Sequence, residues 1–79
     1  MKLEIIFGQV LRKHRTTIGI SQEFLALECG LDRTFISALE RGIRQPSLKS
    51  LFKIAKVLKI PPSQIVAEVE KLSEEKSDN

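Results

Sequence analysis

The sequence lacks tryptophan and tyrosine, and its 79 residues include one cysteine, one histidine and three prolines. The single cysteine, Cys29, excludes a disulfide within the chain and a cysteine zinc cluster, and it fits a reducing cytoplasm. Because phenylalanine is the sole aromatic type, a stacking platform for single-stranded nucleic acid is not expected. No apolar run reaches the roughly 18 residues that a membrane span needs, and no signal-peptide pattern opens the chain. These absences indicate a small cytoplasmic domain, without a membrane partner, a metal or a cofactor.

Charge is unevenly distributed along the chain. Residues 1–60 hold 11 Lys and Arg against five acidic residues, a net charge of +6, whereas residues 61–79 hold two against five, a net charge of −3. A basic body with an acidic end favours a polyanionic partner for the body. Charge alone fits an ordinary solvated surface equally well.

Apolar residues recur at helical spacing throughout, which predicts a compact all-α fold. We expect one domain over residues 1–72, followed by a polar, disordered tail over residues 73–79. Capping residues, glycines and prolines divide the domain into five helices. They are expected from about Leu3 to Thr17, from the cap Ser21 to before Gly30, from the cap Asp32 to before Gly42, from the cap Ser47 to before Pro61, and from Ser63 to about Leu72.

The core should form from one apolar stripe on each helix. We expect it to include Leu3, Phe7, Val10 and Leu11 on the first helix, Phe24 or Leu25 and Leu27 or Leu31 around the second, and Leu48, Leu51, Phe52, Ala55 and Leu58 on the fourth. Cys29 is interpreted as a packed core residue. His14 is interpreted as a partly buried, hydrogen-bonded side chain rather than a metal ligand or a catalyst.

The third helix has two distinct faces. At about 100° per residue, Arg33, Thr34, Ser37 and Arg41 lie together, opposite Phe35, Ile36 and Leu39. Arginine donates two hydrogen bonds to guanine, and threonine contacts a thymine methyl group or a phosphate. For an isolated helix, an ordinary solvated face would be the better interpretation. The preceding capped helix and the glycine turn favour a helix-turn-helix instead.

The motif Ser21-Gln22-Glu23-x-Leu25-Ala26, then Gly30-Leu31, then Ile36-Ser37-x-Leu39-Glu40-Arg41-Gly42, resembles the lambda-repressor-like (Xre/Cro-type) helix-turn-helix family. The resemblance extends from about Phe7 to Ile65. It implies a compact five-helix lambda-repressor-like DNA-binding domain. Within the family, the stretch Leu31-Asp32-Arg33-Thr34-Phe35-Ile36-Ser37 is similar to the recognition helix of restriction–modification controller proteins. The chain departs from many relatives at His14, where they have an apolar residue, and in its additional apolar stretch at Leu3, Ile5 and Ile6.

The resemblance implies roles for individual residues. Gln22 would bind phosphate and support the recognition helix, while Arg33, Thr34 and Ser37 would face bases. The DNA backbone would be held by Arg41, Arg44, Gln45 and Lys49. Arg15 and Glu40 occupy positions that form a structural salt bridge in related proteins. These roles describe a DNA-binding transcription regulator, and no catalytic constellation is present to suggest an enzyme.

The last helix carries a wide apolar stripe of Ile65, Val66, Val69 and Leu72. Packing of this stripe on the core of its own chain is one interpretation. The favoured interpretation is that the stripe forms a homodimer interface, and that the homodimer binds a palindromic operator. The expected partners are double-stranded DNA, a second copy of the chain and, as an open candidate, RNA polymerase. The alternatives in function are an antitoxin-type interaction module that also binds DNA, and a phage-type repressor.

Overall fold

The computed structural model describes residues 2–76, which form five α-helices and, within that range, no strand. The helices are α1 Leu3–Thr17, α2 Gln22–Cys29, α3 Arg33–Glu40, α4 Leu48–Leu58 and α5 Pro62–Lys76. The all-α prediction is confirmed. None of these helices combines the length and apolar character that a bilayer crossing requires.

Most helix boundaries follow from local capping. The Ser21 and Ser47 hydroxyls accept hydrogen bonds from the backbone N–H groups of Phe24 and Ser50, at 2.9 and 3.0 Å. These bonds satisfy N–H groups that the first turn of a helix leaves without a partner. Asp32 occupies the predicted cap position, but its side chain makes no capping bond. The caps of α2 and α4 are therefore confirmed as predicted, and that of α3 in position only.

The apolar stripe of α4 was predicted partly wrongly. Leu51, Ala55 and Leu58 are buried as expected, and Ile54 is fully buried with them, whereas Leu48 and Phe52 are 72 % and 55 % exposed. Helix α4 packs between α2 and α5. Positions 51, 54, 55 and 58 lie on that inner face at i, i+3, i+4 and i+7 spacing, which turns Leu48 and Phe52 outward.

On α1 and α2, fewer of the predicted residues are buried than expected. On α2, Leu25 is buried, while Phe24 and Leu27 are exposed. On α1, Leu3 is 58 % exposed and Ile6 takes the buried position in its place. The remaining core predictions on α1 are confirmed, with Phe7, Val10 and Leu11 all buried.

Gly8 lets the end of α3 pack directly on α1. A Cβ atom at this position would collide with the backbone oxygen of Leu39 and would lie 2.6 Å from that of Glu40. Only a residue without a side chain tolerates that approach. The contact fixes the position of α3, the helix with the exposed arginine face.

Helix α5 is longer than predicted, because it continues to Lys76. The expectation that the polar tail begins at residue 73 is wrong for residues 73–76, and residues 77–79 lie outside the described residues. The side chain of Glu68 on α5 meets His14 of α1, with the histidine Nε2 2.9 Å from the carboxylate Oε1. This contact confirms that His14 is partly buried and hydrogen-bonded.

Candidate nucleic-acid interface

A tight turn joins α2 to α3. Gly30 adopts the left-handed conformation, with φ of 69°, which a glycine enters without strain. The backbone N–H of Leu31 then donates to the Ala26 carbonyl at 2.9 Å and closes the end of α2. Because the next helix begins at Arg33, this arginine stands in the first turn of α3, at the point where the two helices meet.

Helix α3 presents polar side chains on one side and core side chains on the other. Ile36 and Leu39 have no exposed surface, and Phe35 is half-buried. Arg33, Thr34 and Arg41 are exposed, and Ser37 is half-buried beside them. The two-faced helix predicted from spacing is thus the helix observed. Packing thus buries Ile36 and Leu39 completely and Phe35 in part, and the polar side is the one that α3 exposes.

Behind α3 lies the ion pair expected from the family resemblance. Arg15 Nε and Nη2 donate to the two carboxylate oxygens of Glu40 at 2.5 and 3.0 Å. The third contact of this arginine is Nη1 to the Ile20 carbonyl at 2.7 Å. Both side chains are largely buried, with 12 % and 4 % exposed. The hydrogen bonds with Glu40 raise the pKa of Arg15 despite the burial that opposes its charge.

Gln22 connects this ion pair to the exposed face. Its Nε2 donates to Glu40 Oε1 at 3.0 Å, and its Oε1 accepts from Arg33 Nη1 at 3.4 Å. Both ends of one amide are therefore used within the protein. Gln22 is half-buried at the first position of α2.

The loop after α3 positions Arg44. The Arg44 guanidinium carbon lies 5.5 Å from the centroid of the Phe35 ring, within the range of a cation–π contact. Together with Thr34 the two residues line an open groove of about 600 Å³, whose other lining residues are Gly30, Leu31, Asp32, Ala38 and Ser50. Phe35 and Ser50 were not assigned to the site from sequence. Spacing placed Phe35 on the apolar side of α3, and nothing in the sequence showed that Ser50, in the first turn of α4, would lie beside it.

The remaining predicted DNA contacts are exposed, but they do not line this groove. Arg41 follows the last residue of α3, and Lys49 lies in the first turn of α4. Gln45 is exposed as well, but it lines a different, apolar groove between α1 and α5. The structure thus brings Gln22 into contact with Arg33 and places Thr34 and Arg44 in one groove, whereas Gln45 lines the groove between α1 and α5 instead.

The predicted dimer residues do not share one environment. Ile65 is 1 % exposed and belongs to the core of its own chain, so its assignment to an intermolecular surface is corrected. Val66 is 52 % exposed, while Val69 and Leu72 are half-buried against the core. Val66 and Val69, with the buried Ile65, line the apolar groove between α1 and α5. This groove has a volume of about 210 Å³, and its other lining residues are Leu3, Glu4, Phe7, Gln45, Pro46 and Leu51.

Cys29 has the environment of a packing residue. The thiol is buried, and that burial raises its pKa. Within residues 2–76 no group of His, Cys, Asp and Glu side chains is arranged to hold a metal ion. The arrangement that stands out chemically is therefore the supported arginine face of α3 and the groove beside it.

Comparison with known proteins agrees with this geometry. The family described as Helix-turn-helix matches residues 11–65. The control protein C.BamHI of Bacillus amyloliquefaciens is 43 % identical over 65 residues, covering 81 % of this chain and 80 % of that protein. The control protein C.MunI of a Mycoplasma species is 40 % identical over 70 residues, covering 87 % and 95 %.

A solved structure gives the same result. The restriction-modification controller protein C.AhdI from Aeromonas hydrophila superposes with a TM-score of 0.76 at 45 % identity, over 78 % of this chain and 94 % of that one. The family match over residues 11–65 contains the whole of α2, the turn and α3, together with the Arg15–Glu40 ion pair. The chain belongs to the helix-turn-helix family, and within it resembles the restriction-modification controller proteins.

Proposed function

We propose that this protein is a sequence-specific DNA-binding transcription regulator, of the restriction–modification controller type, that binds a palindromic operator as a homodimer. The observation that carries the proposal is the outward face of α3, where Arg33 donates to Gln22 while Ile36 and Leu39 on the opposite side are fully buried. A supported arginine on a rigid, exposed helix suits hydrogen bonding to a guanine edge in the major groove. The proposal gives the protein no enzymatic role and places it in the cytoplasm with its operator.

The residues divide between base reading and phosphate contact. Arg33, Thr34 and Ser37 lie on the projecting face of α3 and are assigned to bases. Arg41, Arg44, Gln45 and Lys49 are exposed residues at the end of α3, in the loop after it and at the start of α4, and they are assigned to phosphates. Gln22 is assigned to phosphate as well as to the support of Arg33. Phosphate contacts fix orientation, while base contacts specify sequence.

The dimer is proposed to form through α5 and the start of α1. The groove there is lined by Val66 and Val69 beside the exposed Leu3, and Leu72 lies further along α5. A small domain gains stability and avidity when such a surface is covered by a second copy. Two copies related by a two-fold axis would read half-sites whose centres are about 10 bp, or a multiple of that, apart.

The experiment that tests the proposal is selection of bound DNA from a random pool by the purified protein. A recovered palindrome with a guanine-containing half-site, and retarded mobility of that duplex at nanomolar protein, supports the proposal. Recovery of no common sequence contradicts it. Contact with RNA polymerase is proposed for promoters that the protein activates. The yield of transcript from a promoter that carries the selected operator measures that activation.

The alternatives make different predictions. An antitoxin-type module would co-purify with a stoichiometric protein partner from its host, and a phage-type repressor would lower transcription at its operator without activating it. The similarity to proteins named as control and controller proteins supports the controller role over both.

A further inference from the structure

We propose that Glu40 is a positioning residue for base recognition, which acts through Gln22 on the orientation of Arg33. The Arg15–Glu40 pair would then determine DNA specificity, in addition to holding helices together. This inference rests on the proposed function, in which Arg33 reads a base.

Arg15 on α1 fixes the orientation of the Glu40 carboxylate. Its carboxylate accepts two hydrogen bonds from Arg15, whose remaining contact is with the Ile20 carbonyl. Only 4 % of the Glu40 side chain is exposed. An ionised carboxylate is an acceptor without donors, so each group that hydrogen-bonds to it has to present an N–H or an O–H.

That requirement fixes the orientation of the Gln22 amide. The NH₂ group turns inward to Glu40, 3.0 Å away, and the carbonyl oxygen consequently turns outward. The outward oxygen meets Arg33 Nη1 at 3.4 Å, the long end of the hydrogen-bond range. Arginine has donors alone, so a reversed amide would place two donors against each other. Negative charge on Glu40 thus selects the amide orientation that attracts Arg33.

The consequence concerns the freedom of Arg33 before DNA arrives. Arg33 is exposed, and among residues 2–76 its guanidinium hydrogen-bonds to Gln22. A guanidinium tethered at one nitrogen still has donors for the O6 and N7 atoms of guanine. The hydrogen bond to Gln22 restricts where the Arg33 side chain lies before DNA binds. This restriction favours contact with one base pair over its neighbours.

The test measures discrimination, because a residue that acts on the fold alone weakens all sites together. For each variant, discrimination at a base pair is the dissociation constant for the operator substituted at that base pair divided by the dissociation constant for the selected operator. The Arg33 position is defined as the base pair whose discrimination is lost in Arg33→Ala. The test variants are Glu40→Gln, which removes the charge and permits the amide to reverse, and Gln22→Met, which removes both hydrogen bonds but keeps the length.

Glu68→Gln is the matched control, since it weakens a different interhelical contact, that of Glu68 on α5 with Lys13 and His14 on α1. We expect discrimination at the Arg33 position to fall about three- to tenfold in both test variants, a part of the roughly 5- to 150-fold that a bidentate pair provides. Discrimination at other positions should persist, and the control should keep all of it. In an Arg33→Ala background neither test substitution should lower discrimination further.

The outcomes separate the two proposals. If Arg33→Ala loses discrimination at no base pair, the base-reading function itself is wrong. If Arg33→Ala loses it but Gln22→Met and Glu40→Gln retain it, Arg33 reads a base without positioning by Glu40. If Gln22→Met loses discrimination and a folded Glu40→Gln retains it, Gln22 positions Arg33 without Glu40 and the proposal is wrong. Glu40→Gln also removes a buried charge, so Gln22→Met keeps the proposal falsifiable should that variant fail to fold, because retained discrimination in Gln22→Met breaks the route from Glu40 to Arg33. Nitrogen-15 relaxation of Arg33 Nε in the free protein provides a readout without DNA, with greater mobility expected in Gln22→Met and unchanged mobility contradicting the tether.

Discussion

The guanidinium group of Arg44 lies over the ring of Phe35, 5.5 Å from its centroid. The two residues come from different segments, the recognition helix and the loop that follows it. An arginine assigned to phosphate contact is thereby held beside the helix assigned to bases. The contact therefore couples an arginine assigned to DNA phosphates to the helix assigned to DNA bases.

Phe35→Leu keeps an apolar side chain but removes the aromatic face. We expect the variant to bind its operator more weakly by about 0.5–1 kcal/mol, the size of an exposed cation–π contact. In an Arg44→Ala background the same substitution should have almost no effect on binding, because the guanidinium is absent. Gel-shift titration of the four proteins in this cycle gives the coupling. Equal losses in both backgrounds would mean that Phe35 acts on binding independently of Arg44.

Gly8→Ala tests the close approach of α1 and α3. The added methyl group meets the backbone oxygens of Leu39 and Glu40, which cannot move away as a flexible side chain would. We expect urea unfolding to show a loss of about 1–3 kcal/mol, as in other overpacked contacts. Arg12→Ala is the control on the exposed side of the same helix, expected within about 0.5 kcal/mol of the parent. An unchanged urea midpoint for Gly8→Ala would contradict the packing described.

The free energy of unfolding should fall at acid pH as Glu68 becomes protonated. Burial opposes its ionisation, but hydrogen bonds with Gln64 and His14, and the charges of His14 and Lys13, outweigh burial and lower its pKa below 4.5. A pKa that is lower in the folded state means that the stabilisation is complete above the unfolded value and disappears as pH falls through the folded one. Glu68→Gln should therefore lose stability at neutral pH and show a weaker decline below pH about 4.5. Thermal unfolding between pH 3 and 7 measures this, and parallel curves for both proteins would contradict it.

Val66→Asp tests the proposed dimer surface. Val66 is the exposed member of the apolar groove on α5, so a charge there should disrupt association without entering the core. We expect sedimentation to show a monomer, and operator binding to become weaker and less cooperative. Ala67→Asp, the next residue and also exposed, does not line the groove and should sediment as the parent does. A Val66→Asp protein that remains dimeric would exclude this surface.

The fold followed from sequence where its causes are local. Ser21, Ser47 and Gly30 determine helix ends through bonds and dihedral angles within a few residues, so their positions marked the boundaries correctly. The inward face of α4 did not follow, because its residues carry apolar side chains on more than one face. The packing of α2 and α5 buried Ile54 and left Phe52 outside.

The site was predictable in part for the same reason. The polar face of α3 is a property of one helix, and spacing alone located Arg33 on it. The route from Glu40 through Gln22 to Arg33 joins two helices and depends on which end of an amide faces a carboxylate. Sequence spacing contains no such information. The assignment of Ile65 to the dimer surface was wrong because a wide stripe on α5 includes both inward and outward positions.

The most direct test of the central claim is the operator affinity of Arg33→Ala, measured on the selected operator and on its single base-pair variants, beside Arg44→Ala. We expect Arg33→Ala to lose about 1–3 kcal/mol on the operator and to stop distinguishing one base pair. Arg44→Ala should instead bind all sequences more weakly by a similar factor, with a salt slope smaller by about one. Unchanged affinity and unchanged discrimination in Arg33→Ala would contradict the base-reading role on which the account depends.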